Sequence, residues 1–175
     1  MANYRYNRHG LLIDWIKEQK DLCERYQPSK RAVQRGAIFY CRLGENVGHE
    51  LSKSRPVLVI SDSSRNISGN NVTVIPLLSA YHYLKNEQDK RTYQQDKNYV
   101  FDPKAYKIRP TQYLLRKIDF PGLSNDSLVT CENIRTVSKG RLDLKSIELI
   151  DENTMEHIEK RVLETLDMRD YKKES

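Results

Sequence analysis

Residues 44–60 read GENVGHELSKSRPVLVI. The stretch opens as a loop with glycines at positions 44 and 48 and carries His49, Glu50, Lys53 and Arg55 within seven positions. It then runs without pause into Pro56-Val57-Leu58-Val59-Ile60, an apolar, branched segment of strand length. Proline disfavours helix for the residue before it and tolerates the first position of a strand. The strand is therefore expected to begin at Pro56, with Arg55 held at its mouth. A guanidinium is permanently charged and presents a planar fork of donors that suits phosphate. An anchored arginine here is a candidate for gripping a phosphodiester; the alternative is a surface ion pair with Glu50 or Asp62.

Outward from this stretch the chain reads as support. Leu11, Leu12, Trp15, Leu22, Cys23 and Tyr26 follow helical spacing, which predicts an amphipathic helix over 11–26, stopped at Pro28-Ser29 and packed on the domain through Trp15. A dimer or partner contact is the other use of such a face. Residues 1–9 are polar and expected to fray. A strand is predicted over 36–43 and a third over Val72–Leu78, ending at Ser79, with Pro76 arguing for an edge or a bulge. Between strands two and three, 61–71 is turn chemistry. The region 81–116 is dense in Tyr, Lys, Gln and Asp, with short strands expected at 99–101 and 113–115. Its basic residues and Tyr81, Tyr83, Tyr93, Tyr99, Tyr106 and Tyr113 would either stack and neutralise single-stranded nucleic acid or cover the domain as a solvated insertion. A strand over Ser127–Ile134 leads into Arg135-Thr136-Val137. A helical turn near 143–147 and a last helix from the N-cap Asp151, with Met155, Ile158, Val162 and Leu166 on one face, complete the pattern. The tail 170–175 is expected to be disordered.

Short strands with helices at the ends indicate a mainly β (α+β) fold, a small β-barrel with an N-terminal helical extension and a C-terminal helix. The division expected is an extension over 1–33 and a barrel domain over 34–170, interrupted by an insertion at about 80–119. At 175 residues, with 38% hydrophobic and 31% charged content, the chain suits one domain with a highly charged surface. No run reaches the roughly 18 apolar residues of a membrane span, and the N-terminus lacks a signal-peptide core, so a cytoplasmic protein is expected. Cys23, Cys41 and Cys131 are widely spaced, and the latter two sit in strand-like runs where a small buried hydrophobe belongs. The four histidines are scattered, and no Gly-rich phosphate loop, GxSxG or HExxH is present, so neither metal nor cofactor is expected. The net charge of +6 suits an anionic partner, either RNA or an acidic protein segment.

GHELSKSRPVLVIS, residues 48–61, resembles the Gly-(Ser/His)-Glu-…-Arg-Pro-Val-Leu-Val-Ile segment of the MazF/PemK family of toxin endoribonucleases. CENIRTVSKGRL, residues 131–142, is a second match in the right order. The resemblance spans roughly Gln34 to Leu166 and implies an SH3-like barrel that forms a homodimer. It further implies sequence-specific, metal-independent cleavage of single-stranded RNA, and inhibition by an antitoxin with an acidic C-terminal segment. Residue by residue, it implies that Arg55 binds phosphate and serves the transition state or acid step, and that Ser79 supplies a hydroxyl to the same phosphate. Glu50 shapes the site, His49 matches a histidine of the PemK branch, and Glu132 matches an acidic position given the role of base. Lys53, Arg135 and Arg141 would contact RNA, with structural pairing as the alternative for the two arginines.

The chain also departs from the family. Thr130 stands where the PemK branch has a second catalytic arginine, Asn133 replaces a common Gln, the insertion is longer, and the N-terminal helix lies outside the resemblance. The residues carry the same chemistry if they converge: a base for the 2′-OH, a cation for the charged transition state and an acid for the departing 5′ oxygen. The competing reading is a non-catalytic barrel of the same fold, either gyrase-directed or RNA-binding. The gyrase-directed branch lacks the Arg-Pro loop motif that this chain keeps.

Overall fold

The computed structural model describes residues 2–25 and 31–168. The elements are α1 (Ala2–Arg25), β1 (Ala37–Arg42), β2 (Ser54–Val59), α2 (Ser63–Ser68), β3 (Asn71–Ser79), α3 (Glu87–Gln95), β4 (Gln112–Leu115), β5 (Ser127–Thr130), β6 (Arg135–Ser138), β7 (Glu148–Leu149) and α4 (Glu152–Thr165). The strands form one antiparallel sheet in the order β4-β5-β3-β2-β1-β7, with β6 also paired to β3. On one side of β3, β6 covers Asn71 to Val74 and β5 covers Leu77 to Ser79. This fork curls the sheet into a half-barrel.

Pro76 lies in the gap of the fork. Of the edge or bulge expected from the proline, the edge is not what is seen: β3 is a central strand whose pairing on one side is interrupted at Pro76, and its second neighbour β2 pairs Val57 with Pro76. The proline is accommodated because the partner on the other side changes there, and the buried hydroxyl of Thr130 donates to the Pro76 carbonyl at 2.8 Å. The same change of partner breaks the strand expected over Ser127–Ile134. β5 ends at Thr130, a 3₁₀ turn over Cys131–Asn133 crosses the gap, and β6 begins at Arg135.

Both faces of the sheet are buried, which is why VLVI reads as a continuous apolar run. One face gathers Phe39, Cys41, Val57, Val59, Val72, Val74 and Val137. The opposite face, with Ile38, Leu58, Ile75, Leu77 and Val129, takes Met155 and Ile158 of α4. Asp151 caps α4 by accepting from the Thr154 backbone N–H at 2.9 Å. Leu166 lies past the end of α4 and is exposed. Cys41 and Cys131 are fully buried, and burial pushes their thiols up to about 12 and about 11.

Four further expectations differ. The 61–71 stretch contains α2, because Asp62 caps it by accepting from Ser64 and Arg65 N–H groups. Residues 99–101 find no partner strand, and Phe101 is buried in the insertion's own small core. Residues 143–147 are not helical: Asp143 and Ile147 N–H groups donate to Tyr40 and Ile38 carbonyls, so the segment follows β1 and becomes β7. Residues 2–9, placed outside the helix by the sequence pattern, belong to α1, which starts at Ala2 and runs through Gly10. The helix stop at Pro28-Ser29 and the tail 170–175 lie outside the described residues. No helix among the described residues is long and apolar enough to cross a membrane.

Candidate active site

The loop between β1 and β2 is closed by two backbone bonds: Leu43 N–H to the Lys53 carbonyl at 3.0 Å and Lys53 N–H to the Gly44 carbonyl at 2.6 Å. Three residues take left-handed backbones to make the turn, Gly44 (φ 88), Gly48 (φ 64) and Lys53 (φ 68). Gly44 is required twice over. A Cβ there would lie 2.4 Å from Cε2 of Trp15, so α1 seats its single tryptophan on the loop's hinge.

The loop's carbonyls then hold two arginines. Arg55 Nε donates to the Ser52 carbonyl at 2.8 Å, and Arg135 Nη1 from β6 donates to the Leu51 carbonyl at 3.3 Å. Leu51 also accepts from Asn46 Nδ2 at 2.7 Å and packs on the core. Arg55 lies inside β2, opposite Cys41, rather than at its mouth. The strand starts two residues early because Ser54 and Arg55 extend the ladder with β1. Pro56 is tolerated where β2 has only that one neighbour, since pairing with β3 begins at Val57. Arg55 is half-buried, and burial lowers its guanidinium from the ordinary value. Among the described residues no ion pair joins it to Glu50, and Asp62 is turned to its own helix cap. A cation held by neutral carbonyls keeps its charge for an incoming anion.

Beside the loop, Glu50, Leu51, Pro76, Glu132, Asn133, Ile134 and Arg135 line a cavity of about 300 Å³. The loop glutamate, the glutamate of the 3₁₀ turn and the β6 arginine are thus brought together, and the fork at Pro76 is what makes room for them. Glu50 and Glu132 are both exposed. His49 and Lys53 are exposed on the same loop. Ser79 does not line this cavity; it ends β3 opposite Ser127, three positions beyond Pro76, and its side chain makes no capping bond to the turn that follows.

Arg141 is committed elsewhere. It donates to the Arg42 and Leu43 carbonyls at 3.4 and 3.3 Å, and its guanidinium lies 5.3 Å from the Trp15 ring centroid. These are contacts that brace the base of the loop. Thr130, where the family resemblance called for an arginine, is fully buried under Pro76, so β5 sends no cation into the cavity. Sequence reading missed Asn133 and Pro76 as lining residues and Trp15 as the brace of Gly44. The signal for the last was the pairing of a lone tryptophan with a glycine before the loop. Among the described residues no group of three or more His, Cys, Asp or Glu side chains is placed to hold a metal ion.

Residues 34–166 match the model of a family described as PemK-like, MazF-like toxin of type II toxin-antitoxin system. Among solved structures, the chain is similar to MazF from Deinococcus radiodurans, with a TM-score of 0.55 and 16% identity over 79% of this chain and 99% of that one. A MazE-MazF structure from the same organism gives 0.52, at 16% identity over 79% and 98%. An endoribonuclease in complex with its cognate antitoxin from a mycobacterial species gives 0.50, at 19% identity over 78% and 97%. At these identities the likeness to the solved structures shows the fold. No curated protein sequence matches the chain.

Proposed function

The chain belongs to the PemK-like, MazF-like toxin family of type II toxin-antitoxin systems, and from that premise we propose that it is a sequence-specific endoribonuclease. It cleaves single-stranded RNA without a metal, acts in the cytoplasm as a homodimer, and is held inactive by a cognate antitoxin. The observation that carries this reading is the placement of Glu50, Glu132 and Arg135 in one cavity whose wall is the loop that also holds Arg55. One of the two carboxylates removes the 2′-OH proton, and O2′ attacks phosphorus. Arg55, Arg135 and the Ser79 hydroxyl take up the charge that develops on the phosphoryl oxygens. The P–O5′ bond breaks and the leaving oxygen gains a proton from His49 while Arg55 stays charged on the phosphoryl group, giving a 2′,3′-cyclic phosphate and a 5′-OH. Lys53 steers neighbouring phosphates, and Arg141 serves RNA through the loop it braces.

The antitoxin reading rests on charge and on kinship. A net charge of +6 suits an acidic segment laid over the site, and the mycobacterial endoribonuclease and the Deinococcus MazF are seen with antitoxin partners. The test is incubation of purified protein with a long single-stranded RNA in EDTA, followed by sequencing of the ends. The expected result is discrete cuts bearing 5′-OH. A folded, antitoxin-free protein that leaves the RNA intact would move the assignment to the non-catalytic barrel.

A further inference from the structure

The insertion between β3 and β4 and the connection from β4 to β5 together line a second cavity, of about 260 Å³, whose rings come from Tyr81, Tyr93, Tyr99, Phe101 and Tyr106. Most of this wall is fixed. Tyr81 and Tyr93 stack with centroids 4.4 Å apart, and Phe101 meets Tyr106 edge-on at 6.2 Å. The Tyr106 hydroxyl donates to Asp126 Oδ2 at 2.7 Å, while Asp126 Oδ1 accepts from the Lys117 N–H at 2.8 Å. Tyr99 is the exception: it lines the cavity, tilts against Phe101 at 4.8 Å and is 52% exposed.

Size and chemistry select the occupant. The volume falls just under the roughly 300–1,000 Å³ of pockets for drug-sized ligands, which suits one ring system rather than a stretch of chain. Aromatic walls with Asn98, Asn125 and Asp126 beside them suit a flat group that carries polar edges, and Lys97 and Lys117 place positive charge among the lining residues. The cavity is also tied to the end of β3: Ala80 N–H donates to the Asp126 carbonyl at 2.9 Å, and Tyr81 follows Ser79 by two positions.

We propose that this cavity is a base-binding subsite, which takes one unstacked nucleobase of the RNA substrate against Tyr99. The proposal deepens the ribonuclease reading and rests on it for the identity of the ligand. It assigns to the insertion the selection of a nucleotide near the cut and leaves the chemistry to the loop.

The experiment measures binding rather than cleavage. Fluorescein-labelled hexamers of 2′-O-methyl RNA, which cannot form the cyclic phosphate, are titrated as oligo-U, oligo-A and oligo-C with the full chain and read by anisotropy. Base stacking on an aromatic ring is worth about 1–3 kcal/mol, so Tyr99→Ala should weaken the preferred hexamer by about 5- to 150-fold. Tyr99→Phe should keep the affinity, and an abasic residue at one position of the hexamer should bring wild type and Tyr99→Ala together. The thermal midpoints should agree, because Tyr99 is at the rim.

Equal binding by wild type and Tyr99→Ala, or equal loss in Tyr99→Phe and Tyr99→Ala, would overturn the subsite, as would failure of the wild type to bind any hexamer. So would weakening confined to an acidic, tryptophan-containing peptide, which would make the cavity a docking point for protein. Tyr99-dependent binding by a protein that leaves RNA uncut in EDTA would sink the ribonuclease reading and keep the subsite.

Discussion

The β1–β2 loop and the 80–119 insertion are both rich in charged and polar residues and are ordered by opposite means. In the loop, the backbone carries the order: two ladder-like bonds close it, and the Leu51 and Ser52 carbonyls take up donors from Arg135 and Arg55. His49, Glu50 and Lys53 are left facing solvent on a fixed frame. In the insertion the side chains carry the order. Tyr106, Phe101 and Leu84 are buried against Leu128 of β5, and Tyr81, Tyr83 and Tyr93 pack around them. A segment whose backbone satisfies itself can spend its polar side chains on chemistry. A segment that must make its own core spends its aromatics on stability, and here only Tyr99 is left over.

Replacing Arg55 by Ala tests the loop's half of this contrast most severely. Removal of one transition-state donor typically lowers kcat by about 10²–10³-fold, and that loss is expected in single-turnover cleavage. The thermal midpoint should move little, because Arg55 is half-buried and fills no core volume. Retention of full activity would remove the phosphate role.

Gly44→Ala should come next, with a loss of about 3 kcal/mol: a left-handed backbone is strained for alanine, and the methyl enters the Trp15 ring. Trp15 is the sole tryptophan, so its emission reports the unseating directly. In a Trp15→Ala background the same change should cost less, since the clash is gone. Equal costs in both backgrounds would show that α1 does not brace the loop.

In the insertion, Tyr106→Phe deletes the donor to Asp126 and should lower stability by about 1–2 kcal/mol in thermal or denaturant unfolding. Stability equal to wild type would show that side-chain bonds do not carry the insertion's order. Ser79 stands at their boundary. With Ser79→Ala the expected loss is about fivefold in cleavage, equivalent to about 1 kcal/mol, and Ser79→Thr should keep most of the rate. Wild-type rates in the alanine variant would place Ser79 with the insertion.

Much of the architecture was legible because it follows from period and breakers. VLVI, VTVIPLL and the Met155-Ile158-Val162 stripe read correctly as strands and a packed helix. Misreadings gathered where a partner, not a propensity, decides. Pro76 signals an edge only if both neighbours of β3 are continuous, and the fork between β5 and β6 is a property of the sheet. Residues 99–101 have strand composition but no partner strand, and α3 carries no buried residue whose spacing would announce it.

The candidate site was read as a set of residues rather than as an arrangement. Arg55, Glu50 and Glu132 were marked by the two family-like segments, yet Arg141 in the same segment is a brace. Thr130 was visible only as a missing arginine until its hydroxyl was found on the Pro76 carbonyl.

The central claim is that the loop glutamate and the glutamate of the 3₁₀ turn serve one catalytic centre, and a double-variant cycle in cleavage rate tests it most directly. Residues that act as a unit are strongly non-additive. The account predicts that Glu50→Gln and Glu132→Gln each slow cutting, and that the double variant is about as slow as the slower single one. Losses that multiply, or a wild-type rate in either single variant, would contradict it.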